Sequence, residues 1–168
     1  MKNPLVASAE KFAVDAHGSQ LYGGKLPYVV HLRDVAMVLA EFGHTDDILQ
    51  SAAYLHDTLE DTSAKYSDVK EIFGEEIAEI VYAVTDELGR NRIERHRKTY
   101  PKIKQIPKAT IVKLADRIAN TRASVADEGN TRKLDMYRKE YKYFRGVLHD
   151  DRNVEMWEEL DRLSAESK

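Results

Sequence analysis

The stretch AAYLHDTLEDT, residues 52–62, sets His56, Asp57, Glu60 and Asp61 among Ala52, Ala53, Leu55 and Leu59, residues that belong in a helical core. Burying carboxylates and imidazoles costs several kcal/mol unless each finds a partner. A cation, a catalytic task or exposure to water has to compensate. The apolar positions answer the question of fold first. Leu49, Ala52, Ala53 and His56 follow the i, i+3, i+4, i+7 rule of a helix face, and so do Leu32, Val35, Ala36 and Leu39 upstream.

The same spacing extends outward in both directions. Helices are expected over residues 4–17, 30–42, 75–85, 90–99, from Pro107 to about 123, and over 153–165. Asp46 or Thr45 is placed to cap the helix that carries residues 52–62. Ser67 is read as the cap of a short helix ending at Gly74, and Asn130 as the cap of one reaching about 148. GSQLYGGKLPY (18–28) reads as a loop, and no strand alternation or repeat stands out. The expectation is an all-α single domain over 1–168, a bundle of about eight helices. Its motif-bearing part is about 5–125, with C-terminal helices at about 130–165.

Composition narrows the chemistry. The 168 residues include no cysteine, so disulfides, thiolate metal sites and cysteine nucleophiles are excluded, and any metal must take N and O ligands. Charged residues at 33% and apolar residues at 42% describe an ordinary globular chain. The N-terminal run MKNPLVASAEKFAVDAHG carries charges and lacks a signal-type apolar core, so the chain reads as cytoplasmic, with no membrane partner. Residues 90–113 hold nine Lys or Arg (Arg90, Arg92, Arg95, Arg97, Lys98, Lys102, Lys104, Lys108, Lys113) against one acid, Glu94. That run is either a solvated helix face or a collector of an anionic substrate. No nucleic acid is expected, because the net charge is −3 and no aromatics interleave with the basic run.

Three segments bring polar groups toward the core. On one continuous helix, His56 and Glu60 would be i, i+4 neighbours, as would Asp57 and Asp61. His31 opens the preceding helix on the face of Val35, Val38 and Phe42. In ATIVKLADRIANTR (109–122), Lys113, Asp116 and Asn120 follow i, i+3, i+7 beside Ile111, Leu114, Ala115 and Ile118. Taken singly, His31 reads as a satisfied core histidine and Asp116 as an arginine partner. Together, two His and two Asp make a divalent-metal site of N and O ligands with positions left for water and substrate.

The order His31, His56-Asp57, Asp116 resembles the HD superfamily of metal-dependent phosphohydrolases. The closer resemblance is to the hydrolase domain of the Rel/Spo-type alarmone enzymes and the stand-alone small alarmone hydrolases. It is carried by KLPYVVHLRDVA (25–36), AAYLHDTLEDT (52–62), FGEEIAEIVYAVT (73–85) and VKLADRIANTR (112–122), and faintly by EMWEELDRL (155–163). The resemblance implies Mn²⁺-dependent removal of a 3′-pyrophosphate from guanosine tetra- or pentaphosphate. It implies His31, His56, Asp57 and Asp116 as metal ligands, and Glu60 and Asp61 as the acids that orient and deprotonate the attacking water. Lys113 and Asn120 match positions lining the nucleotide pocket. Where that family carries an Arg-Lys pair against guanine, this chain has Tyr22 and Gly23. Tyr22 is then expected to stack on the purine and Lys25 to reach a phosphate, which brings adenosine analogues in as substrates. The expected partner is an anionic purine nucleotide, and a homo-oligomer is compatible with the chain. Rival readings are an HD-type nucleotidase or NADPH phosphatase, and a non-catalytic nucleotide-binding module.

Overall fold

The computed structural model describes residues 3–127 and 131–165. It holds helices α1 (Pro4–His17), α2 (Val29–Glu41), α3 (Asp47–Leu55), α4 (Thr58–Asp61), α5 (Tyr66–Phe73), α6 (Glu75–Val84), α7 (Arg92–Lys104), α8 (Pro107–Ala126), α9 (Arg132–Leu148) and α10 (Val154–Ser164). The all-α expectation holds. A small antiparallel pair, β1 (Leu21–Tyr22) and β2 (Leu26–Pro27), stands where only a loop was expected. Gly23 and Gly24, with φ of +61° and +72°, turn the chain between the two strands. Positive φ at both central residues is the signature of the turn whose twist matches a hairpin, and glycine adopts it without steric cost.

Local chemistry sets the helix ends. The Asn3 side chain accepts from Leu5 N at 2.9 Å, and Pro4 follows at the first helical position. Asp46 caps α3 by accepting from Leu49 N at 3.0 Å. Ser67 does not cap α5 as expected. The helix starts one residue earlier, and the Asp68 side chain closes its first turn on Lys65 N at 2.9 Å. Asn130 lies outside the described residues, and α9 begins after Thr131.

Two further expectations are corrected. Helix α7 runs through Pro101 to Lys104, although a proline there removes one backbone hydrogen bond. Tyr100 before the proline and Ile103 after it, both 0% exposed, anchor the helix on either side in the core and outweigh the loss. The helix carrying residues 52–62 is not continuous. It stops at Leu55, turns at His56 and Asp57, and restarts as the single turn α4. The Thr58 hydroxyl, buried in the break, donates to the Leu55 carbonyl at 2.6 Å and caps the interrupted end. That extra element is one reason the described residues form ten helices where about eight are expected.

Helix α8 is the axis of the fold. It packs against α2, α6, α7, α9 and α10, while α3 lies between α1 and α2. Leu114, Ala115 and Ile118 of α8 are fully buried with Leu32 and Leu39 of α2 and Leu55 of α3. Each fully buried leucine or isoleucine stabilises the fold by about 1.5–3 kcal/mol. Trp157 of α10 and Phe144 of α9 close the other side of α8, so the C-terminal helices belong to the same buried cluster. Among the described residues, no helix is long and apolar enough to cross a membrane.

Candidate active site

Apolar anchoring of α2, α3 and α8 aims polar side chains at one point. His31 of α2 and His56 at the end of α3 are both 2% exposed, and Asp116 of α8 is 7% exposed. Ligand atoms of His31, His56 and Asp116 lie within 4.8 Å of one another. Asp57 completes the group, its Oδ2 lying 3.0 Å from His56 Nε2 and 3.6 Å from His31 Nε2. The break between α3 and α4 makes this possible, because it lets the neighbours His56 and Asp57 point at the same centre.

The protons of the group can be assigned. His56 Nδ1 donates to the Ala53 carbonyl at 2.7 Å, so the neutral ring keeps its proton there and presents the Nε2 lone pair inward. That lone pair faces carboxylate oxygens of Asp57 at 3.0 Å and Asp116 at 3.6 Å. Lone pairs in opposition call for a cation between them. A proton is one answer: burial opposes the imidazolium, but the charges of Asp57 and Asp116 outweigh it and raise the His56 pKa well above its usual value. Burial also works against ionising the two carboxylates. The imidazolium of His56 still holds Asp57 below the usual range, and the Lys113 ammonium does the same for Asp116. A divalent ion is the other answer, and two imidazoles with two carboxylates are donors such an ion accepts.

A surrounding set of hydrogen bonds holds these groups in place. Tyr28 donates its hydroxyl to Asp57 Oδ2 at 2.6 Å. Lys113 Nζ donates to Asp116 Oδ2 at 3.0 Å, and Asn120 Nδ2 donates to Asp116 Oδ1 at 2.5 Å. Tyr22 donates to Asn120 Oδ1 at 2.9 Å and lies flat on the His31 ring, with centroids 4.8 Å apart. One face of Tyr22 is therefore already covered, and Lys133 Nζ sits 5.6 Å from the ring centroid. Tyr22, expected to stack on a purine, lines the cavity while it shields His31 and braces Asn120.

The centre opens into a cavity of about 320 Å³. Glu60 and Asp61 line it from α4, each restrained by a different part of the chain. Glu60 Oε2 accepts the backbone N–H of Asp86 at 2.9 Å, and burial raises the Glu60 pKa. Asp61 Oδ2 accepts from Gln20 Nε2 at 3.0 Å. Four cations share the cavity: Arg92, Lys113, Arg117 and Lys133. Lys25 does not join them, because it lies on the exposed hairpin turn. The basic run divides accordingly. Arg92 and Lys113 line the cavity, whereas Arg90 pairs with Glu94 and Lys108 with Glu76. A larger groove of about 910 Å³ between α7 and α9 contains Arg97 of the basic run but none of the expected metal, catalytic or substrate-binding residues.

Sequence reasoning missed Tyr28, Asp86, Lys133 and Tyr137, all of which line the cavity. Tyr28 sits three residues before His31, so the i, i+3 spacing was available as a signal. Lys133 and Tyr137 arrive from α9, whose position no local pattern foretells.

The family described as HD domain matches residues 9–142. A Xenopus tropicalis protein named guanosine-3′,5′-bis(diphosphate) 3′-pyrophosphohydrolase MESH1 is 38% identical over 124 residues, 70% of this chain and 68% of that protein. An Aquifex aeolicus protein named guanosine-3′,5′-bis(diphosphate) 3′-pyrophosphohydrolase is 37% identical over 122 residues. That alignment spans 70% of this chain but 17% of the Aquifex protein, so the chain corresponds to a small part of that relative. A solved structure described as "A metazoan ortholog of SpoT hydrolyzes ppGpp and plays a role in starvation responses" superposes with a TM-score of 0.83 at 28% identity. The superposition covers 97% of this chain and 95% of that one. With imidazoles and carboxylates converging as described and the family pattern spanning most of its length, the chain belongs to the HD domain family.

Proposed function

We propose that this protein is a Mn²⁺-dependent 3′-pyrophosphohydrolase of guanosine 3′,5′-bis(diphosphate)-type alarmones, the adenosine analogues included, and that it releases pyrophosphate. His31, His56, Asp57 and Asp116 would hold one ion. The observation that carries the reading is the His56 Nε2 lone pair facing two carboxylates in a cavity that also holds four cations. The activities for which the Xenopus and Aquifex relatives are named support the same reaction class.

When bound, the ion would supply Lewis acidity toward a phosphorus oxygen and toward the attacking water. The remaining work falls to side chains. Glu60, fixed through Oε2 by Asp86 N–H, takes the proton of the water. Asp61, held by Gln20, orients that water. The water oxygen bonds to phosphorus as the bond to the 3′ oxygen breaks with its electron pair; that oxygen takes up the proton that Glu60 removed, so the nucleoside leaves with a 3′-hydroxyl and the other product is pyrophosphate. Arg92 and Lys133 face the phosphates, while Lys113 divides its charge between Asp116 and the cavity. Asn120, tied to Tyr22, forms the wall on the nucleoside side.

The test is a panel of guanosine and adenosine 3′-pyrophosphates, with NADPH alongside, assayed with Mn²⁺, with Mg²⁺ and in excess chelator. Pyrophosphate release that needs a divalent ion and is best with Mn²⁺ is expected. Orthophosphate release from NADPH as the dominant activity would replace this reading with the phosphatase one. Full turnover in chelator would remove the ion from it.

A further inference from the structure

Part of the basic run on α7 serves neither the cavity nor a purely solvated face. Its residues grip the segment Thr85–Arg90, which joins α6 to α7 and contains the Asp86 N–H that holds Glu60. Lys102 Nζ donates to the Thr85 carbonyl at 2.9 Å and to Glu87 Oε1 at 2.6 Å, one on each side of Asp86. The Thr99 hydroxyl accepts from Glu87 N at 2.8 Å and donates to the Arg95 carbonyl at 2.8 Å, which fixes it to the helix. Lys98 Nζ donates to the Leu88 carbonyl at 2.7 Å. At Gly89 the segment lies so close to α7 that a β-carbon would stand 2.9 Å from Arg95 N. Backbone cannot yield as the end of a flexible side chain can, so any other residue at position 89 pushes the segment off the helix.

Thr85, Glu87, Leu88 and Gly89, on either side of Asp86, are thus held against one rigid helix, while the Asp86 N–H reaches across to the carboxylate on α4. The Glu60 carboxylate accepts this N–H at 2.9 Å, which ties the orientation of its side chain to the position of the segment. We infer that Lys102 and Thr99, with the close approach at Gly89, are positioning residues: α7 clamps Thr85–Arg90 so that the Asp86 N–H aims Glu60 at the attacking water. The inference rests on the assignment of Glu60 as the base in the proposed function. It explains cations that the substrate does not need, and it locates their effect in turnover rather than in substrate capture.

The clamp is tested with Lys102→Met, Thr99→Val and Gly89→Ala in the full chain. Each should lower kcat on the order of 10–100-fold, the usual cost of misplacing a reacting group by about an ångström. KM and bound Mn²⁺ should stay at parental values. Thr99→Ser and Lys102→Arg keep the donors or acceptors and should recover kcat, which a merely structural role would not require. Hydrogen exchange at the Asp86 amide should quicken in Lys102→Met. In a Glu60→Gln background, Lys102→Met should cost nothing further, since the clamp acts through that carboxylate. Parental kcat in all three clamp variants, alongside an inactive Glu60→Gln, would overturn the clamp and leave the base assignment standing. A fully active Glu60→Gln would overturn the base assignment and the clamp with it.

Discussion

Metal binding at this site should expel a proton, and its source can be named. In the metal-free protein the charges of Asp57 and Asp116 raise the His56 pKa well above 6.5 despite burial and favour the imidazolium. Asp57 and Asp116 are held below the usual carboxylate range and are already ionised, so they have no proton to lose. A divalent ion needs the Nε2 lone pair and therefore displaces one proton from His56. Below the raised pKa the binding constant for Mn²⁺ should grow about tenfold per pH unit, equivalent to about 1.4 kcal/mol. Stability follows with a definite sign. The His56 contribution to the metal-free fold is complete below pH 6.5 and is lost as pH rises through the folded pKa. The contributions of Asp57 and Asp116 are present above 3.8 and are lost as pH falls through their depressed values. Mn²⁺ at a hundred times its dissociation constant should add about 2.7 kcal/mol of stability. Calorimetric titration with Mn²⁺ at pH 6.0, 6.5 and 7.0, repeated in two buffers of different ionisation enthalpy, reads the proton directly. Release of close to one proton is expected. A binding constant that does not change with pH, with no buffer-dependent heat, would refute the assignment of His56 as the cationic partner of the two carboxylates.

Other variants separate the remaining roles. Glu60→Gln should lower kcat on the order of 10²–10⁴-fold without lowering Mn²⁺ occupancy, and parental turnover would contradict its role as base. Because burial raises the Glu60 pKa and the base must be ionised, kcat should fall as pH drops through a value above the ordinary 4.5, read from the acid limb of the pH profile. Lys133→Ala and Arg92→Ala should raise KM and flatten its dependence on salt while kcat changes little, because partly exposed charges act on anions within about 8–10 Å. Guanosine and adenosine 3′-pyrophosphates should show kcat/KM values within about two orders of magnitude of each other. Tyr22→Ala should weaken both together, and a thousandfold guanine preference would show that residues outside the hairpin read the base.

The legible part of this molecule was the part whose signals are local. The i, i+3, i+4 stripes placed α1, α2 and α6 within a residue or so, and His31, His56, Asp57 and Asp116 converge as the three polar-bearing segments suggested. What escaped was set by partners far along the chain. The period of residues 49–59 runs unbroken through His56, so it could not reveal the interruption that lets His56 and Asp57 share a centre. Strands of two residues fall below any alternation signal, and β1 exists because Tyr22 finds His31 and Asn120. Lys25, beside Tyr22 in sequence, was carried along by proximity although the turn points it away from the cavity. The basic run had two candidate meanings, and the structure adds a third, because Lys98 and Lys102 bind backbone carbonyls. Such bonds depend on how the preceding loop folds back along the helix, which composition does not encode.

The bond from Tyr22 to Asn120 joins residues 98 positions apart and lies across the candidate site. Closing so long a stretch of chain carries a large entropic cost that only assembled neighbours can offset. Contacts such as those of α1, α2 and α3 are short in sequence and need no such closure. Refolding should therefore proceed in two stages, with most helix and core restored before the hairpin docks on α8. The chain would pass through a compact form that has its helices and its ligand group but lacks the Tyr22 cover on His31 and Asn120. Stopped-flow circular dichroism, followed in parallel with the return of turnover, would resolve the interval between them; simultaneous recovery would show that the hairpin docks with the core.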